Sequence, residues 1–327
     1  MEKKYAGVDI SKLTFDVSFY KEGKMVSFKF DNTPKGFALL IKEVPGDTQF
    51  VMEATGPYYL RLATFLYEHH YGVSVENPLV IKKYMDMNLR RAKTDKADSQ
   101  IILKYGKQME PSQWKPAESW ILEVGQMYAT LEGYEKMLTQ AKNQMGAFSE
   151  STIINPVVKA SLNKTIASLK TQIKKIDKTI EVIILEKNAA MYQNIRSIPS
   201  IGAKTASMLM VVTRNFEKFD TAKQLQAYIG FCPRIYQSGT SVKGKGAICK
   251  LGMSRLRKTL YMCTLTAISS NNQCKMMYER LKAAGKASKV ALIAVANKLI
   301  RQAFAVAKSG CKYQENNGIN NEIRLAN

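Results

Sequence analysis

The chain has 327 residues, 46% of them hydrophobic, and a formal net charge of +22. That length supports more than one hydrophobic core, and the apolar share is that of an ordinary globular protein with no run long enough to cross a bilayer. So basic a balance does not suit a typical metabolic enzyme; without a lipidation signal or a basic amphipathic anchor it points to nucleic acid rather than membrane.

Residues 1–5 lead straight into strand-like sequence, so no secretory leader is expected. Residues 4–9 (KYAGVD) read as a buried strand ending in a carboxylate. Phe15, Val17 and Phe19, then Val26, Phe28 and Phe30, alternate with polar residues. They predict two strands of period two joined by a turn at 21–24. Asn32-Thr33-Pro34 predicts a helix start, with Phe37, Leu39, Leu40 and Ile41 as its apolar positions. Residues 49–53 (QFVME) predict a fourth strand, again ending in an acid. A turn at Ala54-Thr55-Gly56-Pro57 leads to a helix through Leu60, Leu62, Phe65 and Leu66. Residues 72–75 predict a fifth strand, with a helix to follow. This is an α/β order, with the first three strands antiparallel and the later ones parallel.

The segment Arg90-Arg91-Ala92-Lys93-Thr94-Asp95-Lys96-Ala97-Asp98 opens a further helix through Ile101, Ile102 and Leu103. Its two acids are three residues apart, on one helix face. Asp9 and Glu53 end strands that are neighbours if the first and fourth strands pair. Four carboxylates gathered there would repel one another unless a metal neutralised them, and two divalent ions about 3.5–4 Å apart are a known solution for phosphodiester chemistry. Taken singly, Asp9 reads equally as a strand-end turn residue, Glu53 as a surface acid, and Asp95 and Asp98 as acids of an exposed first helical turn.

Beyond Trp114-Lys115-Pro116 the texture changes. Met127, Leu131, Tyr134, Leu138, Ala141 and Met145, then Leu162, Ile166, Leu169, Ile173, Ile176, Ile180 and Ile183, follow steps of three and four, with a break at Asn155-Pro156. These are heptads. They predict an antiparallel helical hairpin, a coiled coil between subunits, or a long helix packed on its own domain. The lysines between them (159, 164, 170, 174, 175 and 178) either meet phosphates or form a solvated face. Ile198-Pro199-Ser200-Ile201-Gly202-Ala203-Lys204-Thr205-Ala206 resembles a helix-hairpin-helix turn with Ser200 in place of a glycine; a plain helix connection is the alternative.

Between residues 221 and 278 there is no Asp or Glu, while Arg234, Lys243, Lys245, Lys250, Arg255, Arg257 and Lys258 fall there. Gln237-Ser238-Gly239-Thr240-Ser241-Val242-Lys243-Gly244-Lys245-Gly246 predicts a loop between helices. Its backbone can approach a phosphate, and a serine in it can serve as a nucleophile or as a simple loop former. His69 and His70 are the only histidines and lie far off in sequence, so no local Ser-His pair exists. A helix is predicted over 250–268 and a final core helix over 290–308, with a polar tail beyond Gly310. The five cysteines show no Cys-x-x-Cys pair and read as reduced thiols of a cytoplasmic protein, without zinc.

Gly7-Val8-Asp9-Ile10-Ser11-Lys12, Glu53-Ala54-Thr55-Gly56 and Lys93-Thr94-Asp95-Lys96-Ala97-Asp98 resemble the three blocks of a RuvC-like domain of the DEDD type. More narrowly, they and the block 238–260 resemble the transposases of insertion-sequence family 110. Ser99 stands where that family more often has alanine.

The resemblance covers nearly the whole chain. It implies a ribonuclease-H-like (RuvC-like) domain over 1–112, a coiled-coil spacer over 113–190 that also dimerises, and a mainly α transposase domain over 191–327. It implies Mg²⁺, with Mn²⁺ as a substitute, on Asp9, Glu53, Asp95 and Asp98, and a covalent phosphoserine link formed by a loop serine, Ser238 by motif position, with Ser241 still open. It also implies a structured non-coding (bridge) RNA that selects donor and target DNA, and a dimer or tetramer associated with the nucleoid of a bacterial or archaeal cell. Arg90, Arg91, Lys93, Lys204, Arg234, Lys243, Lys245, Lys250, Arg255, Arg257 and Lys258 are the expected nucleic-acid contacts. Two other readings stay open: a metal-dependent junction resolvase with water as nucleophile, and a non-catalytic scaffold.

Overall fold

A computed structural model describes residues 3–88, 94–234, 237–238, 242–243, 247–249 and 251–315; for 234, 237–238, 242–243 and 247 it describes the backbone alone. The chain falls into two compact units, Met1–Ala117 and Glu118–Asn327.

The first unit is mixed α/β. In order it contains β1 (Lys4–Ile10), β2 (Thr14–Lys21), β3 (Lys24–Asp31), α1 (Pro34–Glu43), β4 (Thr48–Glu53), α2 (Tyr59–Glu68), β5 (Gly72–Glu76), α3 (Pro78–Met87) and α4 (Asp95–Met109). The sheet runs β3-β2-β1-β4-β5, with β1, β2 and β3 antiparallel and β1, β4 and β5 parallel. The β2–β3 turn needs two left-handed residues, Glu22 (φ 51°) and Gly23 (φ 77°), which is the backbone twist that suits a two-residue hairpin. Thr33 caps α1 by accepting from the Gly36 amide, and Pro34 occupies the first helical turn, where its missing N–H costs nothing.

Because side chains alternate along a strand, the sheet has two unlike faces. One carries Ala6, Val8, Ile10, Phe15, Val17, Phe19, Phe50 and Met52, and packs against Phe37 and Leu40 of α1 and Leu62 and Leu66 of α2. The other carries small and polar residues at its centre. There α4 comes so close that a Cβ on Gly7 would lie 2.2 Å from the Leu103 amide nitrogen and the Ser99 carbonyl oxygen. Tyr5 and Val51 meet Ile102, Leu103 and Tyr105 of α4 and Ile81 and Tyr84 of α3 in a second apolar cluster.

A chain of hydroxyls ties α4 to the sheet. Gln100 Nε2 donates to Ser27 Oγ (3.3 Å), Ser27 and Ser18 are 2.8 Å apart, Ser18 and Ser99 2.7 Å, and Ser99 donates to the Lys96 carbonyl at 2.8 Å. Since the Ser99 proton goes to a carbonyl, each upstream serine donates to the next. Ser99, the departure from the resembling family, therefore has a partner of its own on β2.

The second unit is mostly helical: α5 (Ser119–Ser149), α6 (Pro156–Arg196), α7 (Ala203–Thr213), α8 (Ala222–Ile229), α9 (Ser254–Ser270), α10 (Asn272–Ala283) and α11 (Ser288–Ser309). The long helices α5 and α6 pack on each other. On α6, Leu162, Ile166, Leu169, Ile173 and Ile176 are half-buried, Ile180 is buried, and the intervening lysines are exposed. Non-helical angles at Asn188 (φ −157°, ψ 66°) interrupt α6, and the Asn188 side chain recaps it by accepting from the Met191 amide. Ser200 takes a left-handed φ of 80° in the connection to α7, a conformation usually left to glycine.

Where the sequence predicts one loop between α8 and α9, four two-residue strands form two ladders. In one, β6 (Pro233–Arg234) pairs with β9 (Ala247–Ile248); in the other, β7 (Gln237–Ser238) pairs with β8 (Val242–Lys243). The Gly-Ser-Lys composition hid so short a pairing, which shows no usable alternation. Among the described residues α11 is the one helix long and apolar enough to cross a membrane, although Lys298 and Arg301 interrupt its apolar run. Half of that stretch is buried in the fold, through Ala291, Val295, Ala296, Leu299 and Ile300, so it serves as a core helix.

Candidate active site

The strand registers place a row of charged residues across the sheet, all on the face that α4 covers. Lys29 pairs with Asp16 across β3–β2, and Asp16 pairs with Asp9 across β2–β1. Glu53 of β4 follows Met52, the partner of Val8, and so lies beside Asp9; Glu53 pairs in turn with Glu76 across β4–β5. From edge to edge the row reads Lys29, Asp16, Asp9, Glu53, Glu76.

The fifth and sixth acids come from α4. Thr94 caps that helix by accepting from the Ala97 amide, which sets Asp95 and Asp98 in its first turn. The close approach at Gly7, two residues before Asp9 on the same face, brings this turn over the row. Asp98 is buried and Asp95 exposed.

The acids sense one another. Burial, then Asp98, Asp95, Glu53 and Asp16, push the Asp9 carboxyl from its ordinary 3.8 up to about 6. Sequence reasoning named four of these five residues, and the structure brings all four within electrostatic reach of one point. It adds Asp16. Lys29 offsets part of this charge, with Nζ 3.3 Å from Asp16 Oδ2 and 3.8 Å from Asp95 Oδ2. Glu53 accepts a hydrogen bond from the Thr55 hydroxyl at 2.8 Å. Burial raises Glu76 while a hydrogen bond from the Tyr105 hydroxyl opposes that shift.

The donor set is all oxygen and strongly anionic, which is what a hard divalent cation selects. As the side chains stand, no group of three or more among the described residues closes on a point tightly enough to hold an ion. The fit therefore rests on donor chemistry and backbone placement.

Asp16, Lys29 and Glu76 were missed. The signal was present in Phe15-Asp16-Val17-Ser18-Phe19: once the apolar residues face one way, Asp16 and Ser18 must face the other. What pairing adds is that this other face is the one carrying Asp9.

Of the expected nucleic-acid contacts, Arg90, Arg91, Lys93, Lys245 and Lys250 lie outside the described residues, as does Ser241. Ser238 has its backbone in β7 opposite Val242, and Lys243 pairs with Gln237. Three other cations hold protein partners. Lys204 Nζ is 2.6 Å from Glu135 Oε1. Arg255 donates to the Tyr128 carbonyl and lies 5.1 Å over the Tyr128 ring. Arg257 Nη1 donates to the Ile229 carbonyl at 2.7 Å. Lys258 is exposed on a cleft of about 580 Å³ that Lys136 and Asn143 of α5 also line.

Known proteins match both units. The DEDD-type transposase model of IS110 elements covers residues 6–152, and the model of the transposase IS116/IS110/IS902 family covers 192–279. Pilin gene-inverting proteins of Moraxella lacunata and Moraxella bovis are each 29% identical over 320 residues, 94% of this chain and 97% of theirs. The insertion element IS110 43.6 kDa protein of Streptomyces coelicolor is 25% identical over 173 residues, 51% of this chain and 42% of its own. A DEDD-type domain points to dependence on a divalent metal, consistent with the anionic row. Two models of one kind of transposase lie in sequence along most of the chain, and relatives match nearly its full length: the chain belongs to the IS110 family of transposases, enzymes of DNA recombination and transposition.

Proposed function

We propose that this transposase cuts and rejoins DNA through a serine–phosphate intermediate, with Asp9, Glu53, Asp95 and Asp98 holding Mg²⁺, for which Mn²⁺ can substitute. The observation that carries the metal part of the reading is the alignment of Asp16, Asp9 and Glu53 across the sheet with Asp95 and Asp98 in the first turn of α4; burial and these four carboxylates push the Asp9 carboxyl up to about 6. Such a cluster is costly without a cation and becomes favourable with one. The β3-β2-β1-β4-β5 sheet with α4 across one face supports the ribonuclease-H-like assignment of residues 1–112. We assign residues 113–190 as a coiled-coil spacer that also joins subunits into a dimer or tetramer, and residues 191–327 as the domain that carries the nucleophile.

A bound divalent ion would polarise the scissile phosphate and take up charge on the leaving oxygen. Asp9 and Glu53, on paired strands, and Asp95 and Asp98, on one helix turn, supply its oxygen ligands and fix where the phosphate sits. The Ser238 hydroxyl attacks phosphorus; a P–Oγ bond forms, a P–O bond to the sugar breaks, and the serine proton ends on water or the leaving hydroxyl. The ester conserves the bond energy, so a second DNA hydroxyl can displace serine and reseal the strand without ATP. Lys258 and the exposed α6 lysines grip phosphates. A structured guide RNA selects donor and target DNA by pairing, which accounts for a charge of +22 on a protein that reads little sequence itself. It works in the cytoplasm, on the nucleoid.

The test is a suicide DNA substrate incubated with the full chain, the guide RNA and Mg²⁺, followed by denaturing electrophoresis. A protein–DNA adduct is expected, lost in Ser238→Ala and in Asp9→Asn. An adduct unchanged in Ser238→Ala moves the role to Ser241. Cleavage without any adduct, retained in Ser238→Ala, selects the resolvase chemistry with water as nucleophile.

A further inference from the structure

Lys29 has no part in the chemistry above, yet it belongs to the same row. Pairing with Asp16 puts it on the α4 face of β3, two residues from Ser27, which accepts from Gln100 of α4. Its ammonium nitrogen lies between two carboxylates from different elements, 3.3 Å from Asp16 Oδ2 on β2 and 3.8 Å from Asp95 Oδ2 at the start of α4. The two acids differ in need. The Asp16 side chain keeps only 12% of its exposure and requires a nearby cation, whereas Asp95 keeps 71% and would be well hydrated alone.

We propose that Lys29 is a positioning residue, a tethered cation that compensates the acid row and competes with the divalent ion for Asp95. This rests on the reading of Asp95 as a metal ligand. The physical grounds are two. An ammonium drawn to an Asp95 oxygen and an ion seeking the same carboxylate cannot both have its full charge, and their like charges repel at this range. The lysine stem is also long, flexible and half-exposed, so the head can leave Asp95 and stay on Asp16 as the ion arrives. Lys29 would then hold the first turn of α4 near the row before metal binds and set how much free ion is needed to displace it. The present arrangement agrees, since the Lys29 ammonium lies 3.8 Å from Asp95 Oδ2 and, among the described residues, no three acids close on one point.

The experiment is a Mn²⁺ titration of the full chain, followed by the EPR signal of the free ion, with thermal melts in EDTA and in saturating Mn²⁺. Lys29→Met is expected to bind Mn²⁺ about three- to tenfold tighter, the effect of removing one positive charge at several ångströms under partial screening. It should also melt lower than wild type in EDTA and recover most of that gap with Mn²⁺. Lys29→Gln should tighten binding in the same way, and Lys29→Arg, which keeps the charge, should not. Equal affinity in wild type, Lys29→Met and Lys29→Gln would reduce Lys29 to a surface ion pair and overturn the proposal. Weaker binding in both neutral variants would overturn it too, by making Lys29 an organiser only. Wild-type protein that binds no Mn²⁺ would remove the metal reading itself, and this inference with it.

Discussion

Gly7 of β1 and Ser99 of α4 meet with no room for a methyl group: a Cβ on Gly7 would lie 2.2 Å from the Ser99 carbonyl oxygen. That contact sets the height of α4 above the sheet. Asp98 is next to Ser99 in the helix and Asp9 is two residues from Gly7 in the strand, so the closeness of backbone to backbone governs how near the acids come.

Gly7→Ala should therefore be severe for its size. The clash is with backbone on both sides, which cannot rotate away, so α4 must shift. We expect a loss of about 3 kcal/mol or more in urea unfolding, at the upper end for overpacking. The variant should also lose most of its thermal stabilisation by Mn²⁺, although no acid has been touched.

Ser18→Ala tests the hydroxyl chain. It strands the Ser27 proton and removes the donor to Ser99 in a buried setting. The expected cost is about 1–2 kcal/mol by the same unfolding measurement. Ser99→Ala leaves the Ser18 hydroxyl without its acceptor and should cost less, about 1 kcal/mol, because alanine keeps the close approach of α4.

The acid row predicts a pH dependence in chelator. The Asp9 carboxyl titrates near 6 in the fold against 3.8 ordinarily, so its charged form is disfavoured by folding. The stability tied to a neutral Asp9 is present in full below about pH 4 and is lost as pH rises through 6. Asp9→Asn should thus raise the melting temperature in EDTA at pH 7.5, with the gain shrinking toward pH 4. Melts of wild type and variant across that window check it; a gain independent of pH would contradict it. With Asp9 as a metal ligand, as proposed, divalent metal should reverse the ranking at pH 7.5, since asparagine would give up a charged ligand.

The cations of the helical unit should separate into two classes. Arg255→Ala removes a donor to the Tyr128 carbonyl and a ring contact, and should lower stability by about 2 kcal/mol. Lys258→Ala, at an exposed site, should leave stability within about 0.5 kcal/mol. It should instead weaken DNA binding across sequences and reduce the salt slope of log K by about one. Paired urea denaturation and salt-dependent binding assays distinguish the two.

The order of elements in the first unit was legible because each signal is local: alternation at Phe15, Val17 and Phe19, a capped helix start at Thr33-Pro34, and acids at the ends of β1 and β4. An acid cluster was expected from those ends only on the condition that the first and fourth strands pair, and with Asp95 and Asp98 added from the start of a later helix. What the chain's order of residues could not decide was which acids share a face across strands. Asp16 and Lys29 look like surface charges until the β1–β2–β3 register sets them in line with Asp9. Nor could a list of cations separate Lys258 from Arg255 and Lys204, whose partners, Tyr128 and Glu135, lie more than sixty residues away. Local preference is written in neighbouring residues; a charge's role depends on what distant backbone brings within a few ångströms of it, and only tertiary packing determines that.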